Sequence, residues 1–346
     1  MTTDVYIGER GIGEGHPTFI VAEIGSNHDQ NLDQALRLID AAATAGVDAV
    51  KFQTFRAAEH YSRRTPGFSY LKNADTFALI ESLELDRAWQ PKLRAHALEQ
   101  GLEFFSSPCD PNAVAQLDAL GVPMHKVASF DLPDTSLIRA IAKTGKPVIL
   151  STGMATWMDI QLALDAISAE GNDQVILLQC TSLYPAPSEL ANLRAIETMR
   201  VAFGFPVGYS DHTMGDHIAL AAVALGACFI EKHFTLDRAL PGPDHPFAME
   251  PTELSLMVQR IREIEEALGD GRKSGPRPEE QEMALKGRRS LHAMVDIPAG
   301  SAISNEMITV KRPGLGLSPS LLDQVVGRRA RRAIERDEWI TWDLLG

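Results

Sequence analysis

The chain has 346 residues, with 33 lysines and arginines against 46 aspartates and glutamates, a formal net charge of −13. That balance excludes a general nucleic-acid binder, which needs a cationic face for phosphate, and 45% hydrophobic with 23% charged residues excludes a disordered chain. The length suits about two domains, or one barrel-sized domain with an appendage.

The stretch from Met1 to Tyr6 has no basic region followed by an apolar one, so no secretory signal is expected. The longest apolar run, Ala219 to Ile230, is broken by Gly226 and is shorter than the roughly 18 residues of a membrane span. A cytoplasmic protein without a membrane partner is expected. Gly11, Gly13 and Gly15 precede the first predicted strand and bridge no strand to a helix, so they read as a turn or hairpin and not as a nucleotide loop. Cys109, Cys180 and Cys228 are an odd count without metal-type spacing, and read as small buried hydrophobes outside any disulfide.

From residue 18 to about 268, β-rich apolar runs alternate with helix-period stretches. The runs are Phe19–Ile24, Val47–Gln53, Glu103–Ser107, His125–Ser129, Pro147–Ser151, Gln174–Cys180, Phe205–Ser210 and Cys228–His233. Between them lie amphipathic segments such as Asn31–Ala45, Leu85–Gln100, Pro111–Leu120 and Asp159–Ala169, several followed by a glycine at the C-cap position: Gly46, Gly101, Gly121 and Gly171. Eight strands each followed by a helix in this length predict an α/β fold, a (β/α)8 TIM barrel, with a doubly wound sheet as the alternative. The segment Thr54–Thr76 is too long for a tight connection, and a long loop at this face suits a lid.

Residues 269–285 read as a linker, because Gly269 to Pro278 carries no hydrophobic side chain. From residue 286 to 346 the pattern changes to short β runs with turn signals, and this end has a net charge of +3 against −16 for the remainder. The expected organisation is a barrel over 1–268, the linker, and a small, mildly basic β-rich domain over 286–346. The run Arg328–Arg332 reads as a solvated face of that domain.

Function in such a barrel sits at the C-terminal ends of the strands. There the sequence places Glu23, Lys51, Gln53, Ser107, Lys126, Ser129, Ser151, Ser182, Ser210, His212 and His233. Charged groups inside a barrel cost free energy unless paired or used. Lys51 and Lys126 among hydroxyls suit a phosphate or carboxylate, although either lysine could form a Schiff base. His212 and His233, from adjacent strand ends, suit a Mn, Zn or Fe ion that polarises a carbonyl.

The motifs Ala22–His28, Val50–Gln53, Ser106–Pro108, Ser151–Met154, Cys180–Pro185, Ser210–Thr213, Glu231–Thr235 and Pro241–His245 resemble those of the sialic acid synthase family, including its spore-coat-polysaccharide, legionaminic and pseudaminic branches. Lys311–Gly314 resembles that family's C-terminal antifreeze-like (SAF, β-clip) domain. The resemblance implies condensation of phosphoenolpyruvate with an open-chain N-acylated hexose such as N-acetylmannosamine, or a diacetamido-trideoxyhexose in the other branches.

By the same resemblance His212 and His233 hold a divalent cation, usually Mn2+. Lys51, Lys126, Ser107, Ser129, Ser151, Ser182 and Ser210 hold phosphoenolpyruvate, with Tyr184 nearby. Glu23 is the acid/base residue, and Gln53, Asp131 and Asp244 contact the amino sugar. Arg312 is implied to enter a neighbouring subunit's barrel mouth in a domain-swapped homodimer. Ser107, Ser182, Asp131 and Gln179 stand where better-known members have threonine, asparagine, glutamate and histidine. From a different class, the chain could be a non-catalytic sugar-binding scaffold.

Overall fold

The computed structural model describes residues 4–67 and 75–346. Residues 68–74, inside the segment expected to be a lid, lie outside the described residues. The glycine-marked start is a hairpin, β1 (Val5–Ile7) against β2 (Arg10–Ile12).

Eight strands follow: β3 (Phe19–Gly25), β4 (Ala49–Thr54), β5 (Glu103–Pro108), β6 (His125–Val127), β7 (Val148–Ser151), β8 (Val175–Cys180), β9 (Val207–Asp211) and β10 (Phe229–His233). They pair in parallel, in chain order, and β10 closes on β3. That closure excludes the doubly wound sheet. The strands are buried on both faces, which is why they read as near-continuous apolar runs. Outward side chains such as Ile20 and Val50 belong to one apolar core with Leu38 and Ile39 of the helix Leu32–Ala45.

Local chemistry sets the helix ends. Asn31 caps Leu32–Ala45 by accepting from the Asp33 and Gln34 amides, and Gly46 ends it at φ 83°. Asp110 caps Pro111–Leu120 and Gly121 terminates it at φ 79°. These two helices therefore stop close to the next strand, and the parallel closure presents the strand-end side chains to one mouth.

The chain forms two compact units, the barrel to Gly269 and a second from Asp270 to Gly346. In the second, β11 (Ser290–Ala293) pairs antiparallel with β12 (Ile308–Lys311) over a core that includes Leu291, Ile297, Ile303, Ile334 and Ile340. The last part of the segment expected as a linker carries a 3-10 turn, Pro278–Glu280, and runs into a helix, Gln281–Gly287, with no buried side chain. No described helix is long and apolar enough to cross a membrane. The three cysteines are unpaired, Cys180 and Cys228 buried and Cys109 partly so.

Candidate active site

Strand register assembles the mouth. Across β10, β3 and β4, His233 lies opposite Glu23 and Glu23 opposite Lys51, while Gln53 on β4 lies opposite Ser107 on β5. Side chains alternate along a strand, so on β10 Glu231 and His233 face the cavity and Lys232 faces away.

One cavity of about 1100 Å³, counted to its open mouth, is lined by Glu23, Lys51, Gln53, Ser107, Lys126, Ser129, Asp131, Ser151, Tyr184, Ser210, His212, His233 and Asp244. Ser182 stands just behind this lining. A Cβ placed on Gly153 would come within 2.2 Å of Ser182 Oγ and 2.8 Å of Ser129 Oγ. Arg312 belongs to the second unit, where its Nε donates to the Gly287 carbonyl at 2.6 Å.

The charges pair in an order that burial demands. Lys51 Nζ meets Glu23 Oε2 at 2.8 Å, and Gln53 Nε2 donates to Glu23 Oε1 at 2.8 Å. Glu231 Oε1 lies 3.7 Å from both Lys51 and Lys126 and accepts from Ser210 Oγ at 3.2 Å. Burial raises the Glu23 carboxyl, Lys51 opposing it and Glu231 adding to it. For Glu231 burial acts the same way, but Lys126 and Lys51 outweigh it and hold this carboxylate ionised. Two neighbouring carboxylates are thus pushed apart, the arrangement that separates an acid/base from a fixed charge.

Burial works against protonated Lys51, yet Glu23 and Glu231 keep its ammonium above the ordinary range, which makes it a cation and a poor nucleophile. Lys126 is lowered by burial. The Ser151 hydroxyl, in the same cavity as these cations, and the Ser182 hydroxyl are buried with no hydrogen-bonding partner among the described residues. Buried hydroxyls without partners carry a desolvation cost that an anionic ligand would relieve.

The imidazoles of His212 and His233 lie with ring centroids 5.3 Å apart. His212 Nδ1 donates to the Thr181 carbonyl at 2.8 Å, so that loss of the ring's other proton would free the Nε2 lone pair. His233 Nδ1 is buried without a hydrogen bond, 3.6 Å from Asp244 Oδ2. Burial and the neighbouring His212 and lysines hold His233 neutral, well below its ordinary range. Burial works against protonated His212, but Cys180, the Thr181 carbonyl and Glu231 outweigh it and raise that imidazole. A divalent cation would take the place of the His212 proton, whereas His233 already offers a neutral ring. Burial, with Glu23 adding, raises Asp244 to about 6.

The loop carrying His212 is clamped from behind. Lys232 Nζ binds Asp211 Oδ2 at 2.7 Å and the Thr213 carbonyl at 2.5 Å, while Asp211 Oδ1 accepts from the Thr213 amide at 2.8 Å.

Several lining residues were absent from the expected site. Glu231 is the chief one, and its signal was the alternation that already placed His233 inward. His60 and Cys109 also line the cavity, as does an apolar side made by Phe55, Leu79, Ile80 and Leu83.

Fold and site together define a (β/α)8-barrel protein whose mouth gathers two lysines, two buried glutamates and two imidazoles around one cavity. The NeuB family pattern matches residues 38–273 and the SAF domain pattern residues 288–346. The chain belongs to the NeuB family.

An uncharacterized protein of Methanocaldococcus jannaschii is 41% identical over 99% of both chains. The N,N'-diacetyllegionaminic acid synthase of Campylobacter jejuni is 40% identical over 93% of this chain and 98% of its own. The crystal structure of the N-acetylneuraminic acid synthetase of Leptospira borgpetersenii, in complex with citrate, superposes with a TM-score of 0.74. It shares 37% identity and covers 82% of this chain and 95% of its own.

Proposed function

We propose that the chain is a nonulosonic (sialic-type) acid synthase. It condenses phosphoenolpyruvate with an open-chain N-acylated hexose such as N-acetylmannosamine and releases phosphate by C–O cleavage. The observation that carries this reading is the single cavity holding two lysines, the unpartnered Ser151 hydroxyl, a raised carboxyl and two imidazoles, of which His233 is held neutral.

Lys51 and Lys126, with the Ser107, Ser129, Ser151, Ser182 and Ser210 hydroxyls, bind the phosphate and carboxylate of phosphoenolpyruvate, and Tyr184 borders them. Gln53, Asp131 and Asp244 orient the amino sugar. The methylene carbon of phosphoenolpyruvate bonds to the aldehyde carbon as the aldehyde π bond opens and its oxygen takes up a proton to become a hydroxyl; water adds to the enol carbon, and the C–O bond to phosphate breaks. Glu23 takes the proton of that water; its raised carboxyl is better matched to this task near neutral pH than an ordinary glutamate. Gln53 and Lys51 fix both of its oxygens. His212 and His233 would hold a divalent cation, Mn2+ in this proposal, which when bound supplies Lewis acidity toward the aldehyde oxygen. Arg312 completes the cavity of the other chain in a swapped homodimer.

The apolar side formed by Phe55, Leu79, Ile80 and Leu83 favours a second reading of the sugar. A diacetamido-trideoxyhexose offers a deoxygenated carbon and a second acyl methyl to such a wall, whereas N-acetylmannosamine would set hydroxyls against it.

The test is phosphate release from phosphoenolpyruvate by chelator-stripped protein, with and without Mn2+, using each sugar. Release that requires both sugar and metal supports the proposal, and the ratio of kcat/KM values chooses the sugar. No release with either sugar, or borohydride trapping of a pyruvate adduct, overturns it.

A further inference from the structure

A second cluster of ligating side chains lies on the cavity wall contributed by the β4, β5 and β6 connections, whereas His212 and His233 come from β9 and β10. Among the described residues, His60, Cys109 and Asp131 are the one set of three whose ligand atoms all lie within 4.8 Å of one another. His60 Nε2 is 3.8 Å from Asp131 Oδ1, and Cys109 Sγ is 3.7 Å from Asp131 Oδ2.

A tetrahedral zinc centre with bonds of about 2.0–2.3 Å separates its ligand atoms by roughly 3.3–3.8 Å. The two separations run to different oxygens of Asp131, and with one ligand atom from each residue the three lie within 4.8 Å, about 1 Å wider than that spacing. His60 ends the short helix Ala57–His60 and is partly exposed, so it can close the remaining gap to Cys109 without disturbing a strand. Lys51, a neighbouring cation, is neutralised by Glu23 and Glu231.

We propose that His60, Cys109 and Asp131 form a soft-metal site of the zinc class, with a fourth position open to the cavity. One sulfur, one imidazole nitrogen and one carboxylate oxygen select a borderline-soft ion over Mg2+ or Ca2+. The Cys109 sulfur lies 3.7 Å from Asp131 Oδ2 and 3.8 Å from the Ser107 carbonyl, either of which accepts its hydrogen, and binding replaces that proton, which passes to solvent. Without metal the thiol is protonated and unreactive, since burial and Asp131 raise it well above its ordinary range.

Occupancy would tie up Asp131 and close the sugar side of the cavity. This consequence rests on the proposed function; the site itself does not.

The experiment is a titration of the full chain with Co2+, read by the sulfur-to-cobalt charge-transfer absorption that only a thiolate ligand produces. The expected result is a band that appears with bound metal, disappears in Cys109→Ser and survives in Cys180→Ser, the control for the thiol beside His212. His60→Gln, a change at the partly exposed end of a short helix, should weaken the band-forming step by about tenfold or more, and it decides the matter if Cys109→Ser does not fold. No band in the parent chain, a band that follows Cys180, or an unchanged band in His60→Gln overturns the site. If the protein is a synthase, Zn2+ at the occupancy set by this titration should inhibit competitively against sugar and not against phosphoenolpyruvate. Inhibition of another pattern would refute the assignment of the sugar side and leave the spectral result standing.

Discussion

Removing the cation behind His212 should cost more stability than most surface-to-core changes, and the structure says how much. Lys232 and Asp211 have side chains 2% and 0% exposed, so neither charge has water to fall back on. Lys232→Met keeps the length of the side chain but strands the Asp211 carboxylate, and breaking one side of a buried pair costs about 3–5 kcal/mol. Replacing both charges, in Lys232→Met with Asp211→Asn, keeps an acceptor for the Thr213 amide and should bring the loss to within about 1 kcal/mol of the parent. Urea unfolding followed by tryptophan fluorescence measures both. Because Asp211 and Thr213 flank His212, the single variant should also bind Mn2+ about 10–100-fold more weakly, as loss of a supporting contact does at metal sites, and electron paramagnetic resonance of free Mn2+ reads this. A single variant within about 0.5 kcal/mol of the parent, or a double variant less stable than the single, would refute the reasoning.

Glu23→Gln should lower kcat by about 10²–10⁴ while both substrates still bind, the usual worth of a positioned acid/base group; calorimetry with phosphate release checks this, and full activity rejects the role. Burial holds the imidazole of His125 down at about 4, and both its ring nitrogens lack partners among the described residues. Unfolding restores its ordinary value of about 6.5, so the unfolded chain binds the extra proton: the contribution is full above pH 6.5 and is lost toward pH 4, about 3 kcal/mol in all. His125→Leu should flatten that part of the stability–pH profile, and parallel profiles for parent and variant would contradict it. Gly153→Ala would drive a methyl into the Ser129 and Ser182 hydroxyls, and should raise KM for phosphoenolpyruvate by about tenfold with little change in Tm; an unchanged KM would take those hydroxyls out of the anion site. Arg312→Ala and Glu23→Gln chains, each inactive alone, should recover activity when mixed, and no recovery would count against exchange of the small domain.

What the sequence disclosed about this molecule follows from how far apart the deciding residues lie. Strands buried on both faces announce themselves as apolar runs, and Gly46 and Gly121 mark helix ends because an αL cap favours glycine. These are local signals, and the barrel could be read from them. Pairing in the mouth is not local: Lys51, Lys126 and Glu231 come from strands separated by scores of residues, and whether a glutamate on a barrel strand is a cost or a counter-ion depends on which lysines the closure brings to it. Glu231 was missed for that reason, although its place two residues before His233 already put it on the inward face. The grouping of His60, Cys109 and Asp131 was harder still, since each sits on a different connection. The helix Gln281–Gly287 escaped because it buries no side chain and so leaves no apolar stripe to read. Once register is known, the site becomes short-range again: His233, Glu23 and Lys51 are successive partners across three neighbouring strands. A one-residue slip of β3 would turn Glu23 outward, leaving Lys51 buried without its 2.8 Å partner. The charges of the mouth therefore help to specify the register that assembles them, with the Glu23 carboxyl among them.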